Sequence, residues 1–268
     1  MLLQNKNAVV YGAGGSLGGA IAKAFAGAGA KVYLTGHNLR SVQKVTDEIL
    51  AAGGNAEADR VDAMDESAIG SHINRVVNEA GTVDISFNAI SLKDVQNIPL
   101  VDMDVKDFIR PVSIAMQTHF LTATAAARIM IKQGSGVILS LTATPAVVAY
   151  PLTGGFGTAG SAMENFYRLL AAELGVYGVR AVNIRSGGST DSKVFAEAMA
   201  RDPEGMAPLR KKMEDDTMLK ELPVMADIAN AAVFLSSGLA SKITGVTIDI
   251  TCGTTSGLNY RMVPVTLR

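Results

Sequence analysis

A glycine-rich stretch near the start of the chain has the composition of a phosphate-binding turn. Five of the eight residues from Gly12 to Gly19 are glycine, and they follow the apolar run Val9-Val10-Tyr11. An alanine-rich stretch of helical period comes next. Glycines allow a tight turn in which backbone N–H groups and a helix N-terminus approach a pyrophosphate. The stretch therefore predicts a dinucleotide site, although such a cluster also serves as a plain strand-to-helix turn.

Hydroxyl and imidazole side chains in the middle of the chain are candidates for proton transfer. Thr142 ends a buried run, at the edge where an open parallel sheet places its ligands. It is a candidate to contact substrate, or only a β-branched strand residue. Tyr150 follows in the next loop, where its phenol could enter the same cleft or cover the loop. His119 is a third candidate, but packing between subunits is the favoured interpretation.

The elements that must position these residues alternate along the whole chain. Short β-branched runs predict strands at Ala8–Tyr11, Val32–Thr35, Ala56–Val61, Asp84–Asn88, Gly136–Thr142, Arg180–Ile184 and Val246–Ile250. Longer alanine-rich stretches predict helices at Leu17–Gly29, Arg40–Gly53, Ser67–Ala80, Phe108–Lys132 and Ser161–Tyr177. This alternation predicts an α/β fold: a Rossmann-like doubly wound parallel sheet of about seven strands with helices on both faces.

One segment interrupts the alternation. Residues 190–223 contain no strand pattern and concentrate charges and methionines. We expect this segment to form a lid over the substrate, inserted within a single domain that spans residues 1–268.

Composition narrows the classes of protein and partner. The chain has 268 residues, a formal net charge of -1, 48% hydrophobic and 18% charged residues. The apolar content excludes a disordered ground state. The net charge indicates no basic surface of the kind that general nucleic-acid binding needs. One cysteine and three separated histidines give no metal or disulfide pattern. We expect a cytoplasmic protein with a small-molecule substrate and no metal, nucleic-acid or membrane partner.

Six segments in chain order resemble motifs of the short-chain dehydrogenase/reductase family. They are the glycine turn, read as Tyr11, Gly12, Ser16 and Gly18; Asp62; Asn88-Ala89-Ile90; the run from Gly178 to Asn183; the loop from Ser186 to Thr190; and the segment from Ile243 to Gly253. The resemblance covers residues 5–257 and implies the fold described above with a bound nicotinamide dinucleotide.

The resemblance also implies which residues contact the cofactor. They are Gly12, Ser16, Leu17, Gly18, His37, Asp62, Ala63, Asn88, Ala89, Gly187 and Thr190. NAD-specific members of the family end the second strand on a carboxylate that binds the ribose 2′-OH. Gly36 stands there in this chain, with His37 next and Arg40 nearby. NADP is therefore favoured, and NAD stays open.

The catalytic positions of the family are changed in this chain. Members of the family that this chain resembles use a Tyr-x-x-x-Lys pair, an upstream serine and a helix asparagine for catalysis. Those positions fall on Phe156, Gly160, Ala143 and Ala115, and no tyrosine in the chain has a lysine four residues later. General acid catalysis is worth about 10²–10⁴-fold. We expect a non-standard proton transfer with Thr142 or Tyr150 as the replacement, and a space at Gly160 where the lysine ammonium would lie.

Three classes of function agree with this pattern. The favoured one is an oxidoreductase acting on a small apolar carbonyl or conjugated substrate. The alternatives are a non-catalytic cofactor-binding sensor or assembly protein, and a non-redox lyase or isomerase on the same frame. The two long helices at Phe108–Lys132 and Ser161–Tyr177 pair across a two-fold axis in the family, so a homodimer or homotetramer is expected.

Overall fold

The computed structural model describes residues 1–257, which fold around a seven-stranded parallel sheet. Its strands are β1 (Asn7–Tyr11), β2 (Lys31–Gly36), β3 (Asn55–Arg60), β4 (Ile85–Asn88), β5 (Gly136–Ala143), β6 (Val179–Ser186) and β7 (Thr247–Ile250). The strand order is β3-β2-β1-β4-β5-β6-β7, and every neighbouring pair is parallel. The chain therefore reverses direction across the sheet between β1 and β4. This confirms the doubly wound, Rossmann-like sheet.

Eight α-helices of the described residues connect and flank the strands. They are α1 (Ser16–Gly27), α2 (Leu39–Ala51), α3 (Glu66–Ala80), α4 (Val105–Gln133), α5 (Gly155–Leu174), α6 (Lys193–Arg201), α7 (Pro203–Asp215) and α8 (Met225–Ser236). Within residues 1–257, no helix combines the length and the apolar composition needed to cross a bilayer.

Helix α5 begins six residues earlier than the sequence suggested. Its first turns contain Gly155, Gly157 and Gly160, and glycine is a poor helix former. Packing against α4 and the preceding loop overrides that propensity. Phe156 and Gly160 therefore lie on a helix, with four residues of spacing on one face.

Helices cover both faces of the sheet, as expected. On one face, apolar side chains of α1, α2 and α8 pack on alternate residues of the strands, such as Val10. On the other face, α3, α4 and α5 pack on the intervening residues, such as Val9. The central strands are therefore buried on both sides, which explains their continuous apolar runs.

Residues 190–223 contain the helices α6 and α7 and no strand among the described residues. The backbone N–H of Lys193, at the start of α6, donates to the Ser16 hydroxyl at 3.1 Å. The segment thus begins against the glycine-rich turn. Its role as a lid stays a prediction.

Candidate functional site

Two adjoining cavities lie at the carboxyl edge of the sheet. One, of about 550 Å³, lies beside the ends of β1, β2 and β3. The other, of about 430 Å³, lies between the end of β5, the start of α5 and the loop after β6. Both are lined by Gly15, Ala89, Ile90 and Ser91, so they form one continuous cleft. An elongated ligand with two unlike halves suits this shape.

The glycine-rich turn forms the floor where the two cavities meet. Gly12 has φ +77°, and a Cβ atom there would lie 2.7 Å from the carbonyl oxygen of Ala89. A Cβ atom at Gly18 would collide with the carbonyl of Gly12. No side chain caps the N-terminus of α1, where Ser16, Leu17 and Gly18 line the second cavity. Backbone N–H groups of an uncapped helix start suit a pyrophosphate, so this floor fits the expected cofactor.

The first cavity contains His37, Asp62 and Ala63, the residues expected beside the adenosine. Asp62 accepts a hydrogen bond from the N–H of Met64 at 2.9 Å, which holds its carboxylate at the rim. The His37 ring is 77% exposed and lies 4.0 Å from the Asp62 carboxylate. A Cβ atom at Gly36 would lie 2.8 Å from Val42, so the missing strand-end carboxylate has no room in this packing.

Two residues predicted to contact the cofactor, Asn88 and Gly187, do not line the cleft but support its wall. Asn88 is buried; its amide nitrogen donates to Thr122 and its oxygen accepts from the N–H of Ile90, both at 3.0 Å. Asn88 thereby fixes the turn that carries Ala89 and Ile90 along the cleft. Gly187 lies behind the wall, with its N–H bonded to the carbonyl of Ile250.

The loop after β6 meets the cleft through residues that the sequence reasoning missed. Gly188 and Ser189 line the second cavity, whereas the expected Thr190 lies just beyond the lining residues. The Ser189 hydroxyl is buried and has no hydrogen-bond partner among the described residues. A buried hydroxyl without a partner fits a polar group of a bound ligand. Only its place in a serine-rich loop after a strand could have pointed to it.

The structure brings together three of the four residues predicted to occupy the family's catalytic positions. Ala143, Phe156 and Gly160 line the second cavity side by side. Ala115 is buried on α4 in an apolar cluster with Leu92 and Phe156. Their side chains provide an apolar wall and no titratable group.

The structure crowds the first atom of any side chain at Gly160. A Cβ atom at Gly160 would lie 2.9 Å from the Cβ of Ala146. The turn Thr144–Ala146 packs directly on the first turns of α5, and a Cβ atom at Gly157 would likewise lie 2.6 Å from the carbonyl oxygen of Pro145. A side chain at Gly160 would therefore have to displace this turn, whereas the space for an ammonium farther out, in the cavity that Gly160 lines, stays a prediction.

Thr142 lies on the cavity wall with its hydroxyl engaged in buried hydrogen bonds. The side chain is 6% exposed. Its Oγ1 donates to Glu164 Oε1 at 2.9 Å and accepts from Asn183 Nδ2 at 2.7 Å. Glu164 in turn forms a bidentate pair with Arg185, at 2.9 and 2.5 Å, and Arg185 also binds Asp249 at 2.6 Å. A charged cluster thus lies one hydrogen bond behind the wall.

Tyr150 and His119 lie away from the cleft. Tyr150 is partly exposed in the loop before α5 and is not among the described residues that line either cavity. His119 is buried inside the protomer, where its Nδ1 lies 3.1 Å from the Tyr167 hydroxyl. Burial lowers the pKa of His119 to about 3 and raises the pKa of Tyr167. Both side chains are therefore neutral near pH 7 and are part of the packed core.

Comparisons with known proteins agree with this geometry. Residues 12–255 match the family described as enoyl-(acyl carrier protein) reductase. The 7α-hydroxysteroid dehydrogenase of Escherichia coli is 30% identical over 259 residues, covering 96% of this chain and 97% of the relative. The 3α-hydroxysteroid dehydrogenase of Mediterraneibacter gnavus is 29% identical over 255 residues, covering 93% and 97%.

Solved structures show the same fold. A hydroxysteroid dehydrogenase from Escherichia coli superposes with a TM-score of 0.79 at 29% identity, covering 94% of this chain and 97% of that one. An NAD⁺-bound xylitol dehydrogenase gives a TM-score of 0.87 at 24% identity, covering 94% and 100%. With a family match along nearly the whole chain and a cleft at the reversal of its sheet, the protein belongs to the short-chain dehydrogenase/reductase superfamily of oxidoreductases.

Proposed function

We propose that the protein is an NADP(H)- or NAD(H)-dependent oxidoreductase acting on a small apolar carbonyl or conjugated substrate, without a tyrosine–lysine pair for proton transfer. The observation that carries this proposal is the continuous cleft, which joins the glycine-rich floor to an apolar cavity. The hydroxysteroid dehydrogenases among its relatives support a substrate of apolar alcohol or ketone type.

The cofactor is held along the glycine-rich floor. The N-terminus of α1 at Ser16–Gly18 would hold its pyrophosphate, and Asp62 and Ala63 would contact its adenine. Arg40 provides a positive charge and His37 a hydrogen-bonding ring for a 2′-phosphate, and no carboxylate at position 36 opposes it. NADP(H) is therefore favoured over NAD(H). The nicotinamide, when bound, supplies hydride transfer.

The substrate end of the cleft is apolar with a few polar groups. Leu92, Ala143, Phe156 and Met163 surround the space beside the expected nicotinamide position. Phe156 excludes water but holds no transferable proton. Proton transfer then falls to a hydroxyl of the lining, or to solvent. Thr142 is our candidate to contact the reacting oxygen of the substrate, and Tyr150 would need the loop before α5 to move.

We also propose a homodimer or homotetramer built on α4 and α5. Phe120 on α4 is 53% exposed and Leu169 on α5 is 58% exposed. The Phe120 ring lies 6.2 Å from that of Phe166, so the two helices present one continuous apolar face. Exposed apolar faces of this kind are typical of subunit interfaces.

Two measurements test the proposed function. NADPH or NADH at millimolar concentration should raise the melting temperature, because a ligand that binds only the folded state stabilises it. Oxidation of the reduced cofactor should then follow addition of a member of an apolar ketone and enone panel. Lack of a melting shift with either nucleotide would overturn the proposal.

The same assays distinguish the two alternatives. A cofactor-binding sensor gives the melting shift without turnover. A lyase or isomerase converts substrate, followed by chromatography, with no net change in the ratio of reduced to oxidised cofactor.

A further inference from the structure

Buried hydrogen bonds fix the direction in which the Thr142 hydroxyl hydrogen points. Arginine has only donors and a carboxylate has only acceptors. Arg185 Nε and Nη2 donate to the two oxygens of Glu164, and Thr142 Oγ1 lies 2.9 Å from Glu164 Oε1. Because the carboxylate can only accept, the single hydrogen of the Thr142 hydroxyl is directed at Glu164. Thr142 has no second hydrogen to donate.

Asn183 uses one of the two lone pairs on Thr142. Its Nδ2 lies 2.7 Å from Thr142 Oγ1, and its Oδ1 accepts from the Ser140 hydroxyl at 2.7 Å. The opposite amide orientation would place two oxygens 2.7 Å apart, with the Thr142 hydrogen already donated to Glu164. The charged cluster therefore determines the amide orientation as well. One lone pair of Thr142 remains.

Thr142 lies on the wall of the substrate-side cavity, next to Ala143, Phe156 and Gly160. From these bonds we infer that Thr142 acts toward the cavity only as a hydrogen-bond acceptor, so this wall selects an apolar alcohol over the matching ketone. The hydroxyl of the alcohol donates to Thr142 Oγ1, whereas a carbonyl oxygen would meet a second oxygen lone pair. This inference rests on the proposed function and states which member of the alcohol–ketone pair the cavity binds more tightly.

Glu164 is the positioning residue in this arrangement. It contacts Thr142 and Arg185 behind the wall, and it holds the hydroxyl hydrogen away from the cavity. The alcohol makes one neutral hydrogen bond that the ketone cannot make, so we expect the alcohol to bind about three- to tenfold more tightly than the ketone.

Ser189 is the polar group that could mask this preference, because its free hydroxyl in the same cavity can both donate and accept. The readout is therefore the change in preference when Thr142 is altered. Thr142→Val keeps the shape and removes the hydroxyl, Thr142→Ser keeps the hydroxyl, and Ser189→Ala removes the competing group.

The experiment measures the dissociation constants of 2-decalol and 2-decalone by ligand-observed NMR. It uses the full chain without added nucleotide, so that no turnover occurs. Wild type, Thr142→Ser and Ser189→Ala should all prefer the alcohol by about three- to tenfold. Thr142→Val should bind the two probes equally, with the loss falling on the alcohol.

Several outcomes would overturn the inference. Equal binding of the two probes to wild type does so, and so does binding of neither. An alcohol preference that survives in Thr142→Val, or disappears in Ser189→Ala, assigns it to another group. The wild-type and Ser189→Ala results decide the matter even if Thr142→Val does not fold. Failure of the proposed function is seen separately, as absence of a melting shift with NADPH or NADH.

Discussion

The Cβ of Ala146 lies too close to residue 160 for a side chain there: a Cβ atom at Gly160 would be only 2.9 Å away from it. The turn Thr144–Ala146 follows β5 directly and packs on the glycine-rich start of α5. Gly160, the residue predicted to occupy the family's lysine position, can therefore gain a side chain only if this turn shifts.

This contact predicts the cost of adding a methyl group. Gly160→Ala forces two Cβ atoms too close in a packed region, and overpacking costs about 1–3 kcal/mol. Replacing glycine by alanine inside a helix stabilises the helix by about 1 kcal/mol. We expect Gly160→Ala to lower the free energy of unfolding by up to about 2 kcal/mol, measured by urea denaturation.

Two variants control this prediction. Gly70 lies within α3 and a Cβ atom there meets nothing within 4 Å, so Gly70→Ala should be neutral or stabilising. Ala146→Gly combined with Gly160→Ala should recover most of the loss, as a double-mutant cycle between contacting residues requires. Additive effects in the double variant would contradict the contact.

The contact between residues 146 and 160 also limits variants that restore the family's catalytic groups. The variant Ala143→Ser, Phe156→Tyr and Gly160→Lys should have a lowered melting temperature, because the lysine Cβ meets Ala146. Adding Ala146→Gly should restore its melting temperature and produce reductase activity toward small activated ketones. A fully stable triple variant with Ala146 unchanged would show that the turn moves aside freely.

Much of the fold could be predicted from the sequence. The strands were predicted to within two residues at their ends. The central strands gave the clearest signal, because their continuous apolar runs reflect burial on both faces. The start of α5 was missed because Gly155, Gly157 and Gly160 have low helix propensity. Their close contacts with Phe108, Pro145 and Ala146 are tertiary, and no local pattern encodes them.

The site was predictable only in part. The glycine turn and the places of Ala143 and Phe156 follow from motif spacing, and the structure brings them to one cleft. The cluster behind Thr142 was missed. Its signal was a charged residue in each of two apolar elements, Glu164 in α5 and Arg185 in β6, which burial obliges to pair.

Cofactor choice depends on the rim at the start of α2. Arg40 is exposed in the first turn of α2, directly after the Asn38 cap. Arg40→Ala should weaken NADPH binding by about five- to tenfold, since it loses a charge-assisted contact, and leave NADH binding unchanged. Titration calorimetry of both nucleotides measures this. Lys44→Ala, one turn later on the same helix, is the matched control, and an equal loss there would indicate only a general effect of charge.

The buried histidine His119 predicts a fall in stability on acidification. Its pKa is about 3 in the folded protein and 6.5 when free, so the unfolded chain binds the extra proton as the pH falls below about 6.5. The stability is complete above pH 6.5 and is lost toward pH 3, by up to about 1.4 kcal/mol per pH unit. His72, whose pKa burial also lowers, acts in the same direction.

The variant His119→Asn keeps a polar partner for Tyr167 and removes the titration. Urea denaturation at pH 7.0 and pH 5.0 should show a smaller difference for His119→Asn than for wild type, by about 1–2 kcal/mol. Equal pH dependence in the two proteins would mean that His119 does not titrate on unfolding.

The apolar face of α4 and α5 predicts how assembly can be broken. Phe120 and Leu169 are more than half exposed, and Phe120 lies beside Phe166. Phe120→Glu with Leu169→Lys places charges on this face, where burying them in a subunit interface is costly. Light scattering at micromolar concentration should show a dimer or tetramer for wild type and a folded monomer for the double variant. Leu50 lies on α2 and is 49% exposed, so the control variant Leu50→Glu should leave the assembly unchanged. A wild-type monomer, or an assembly that survives both charges, would place the interface elsewhere or exclude it.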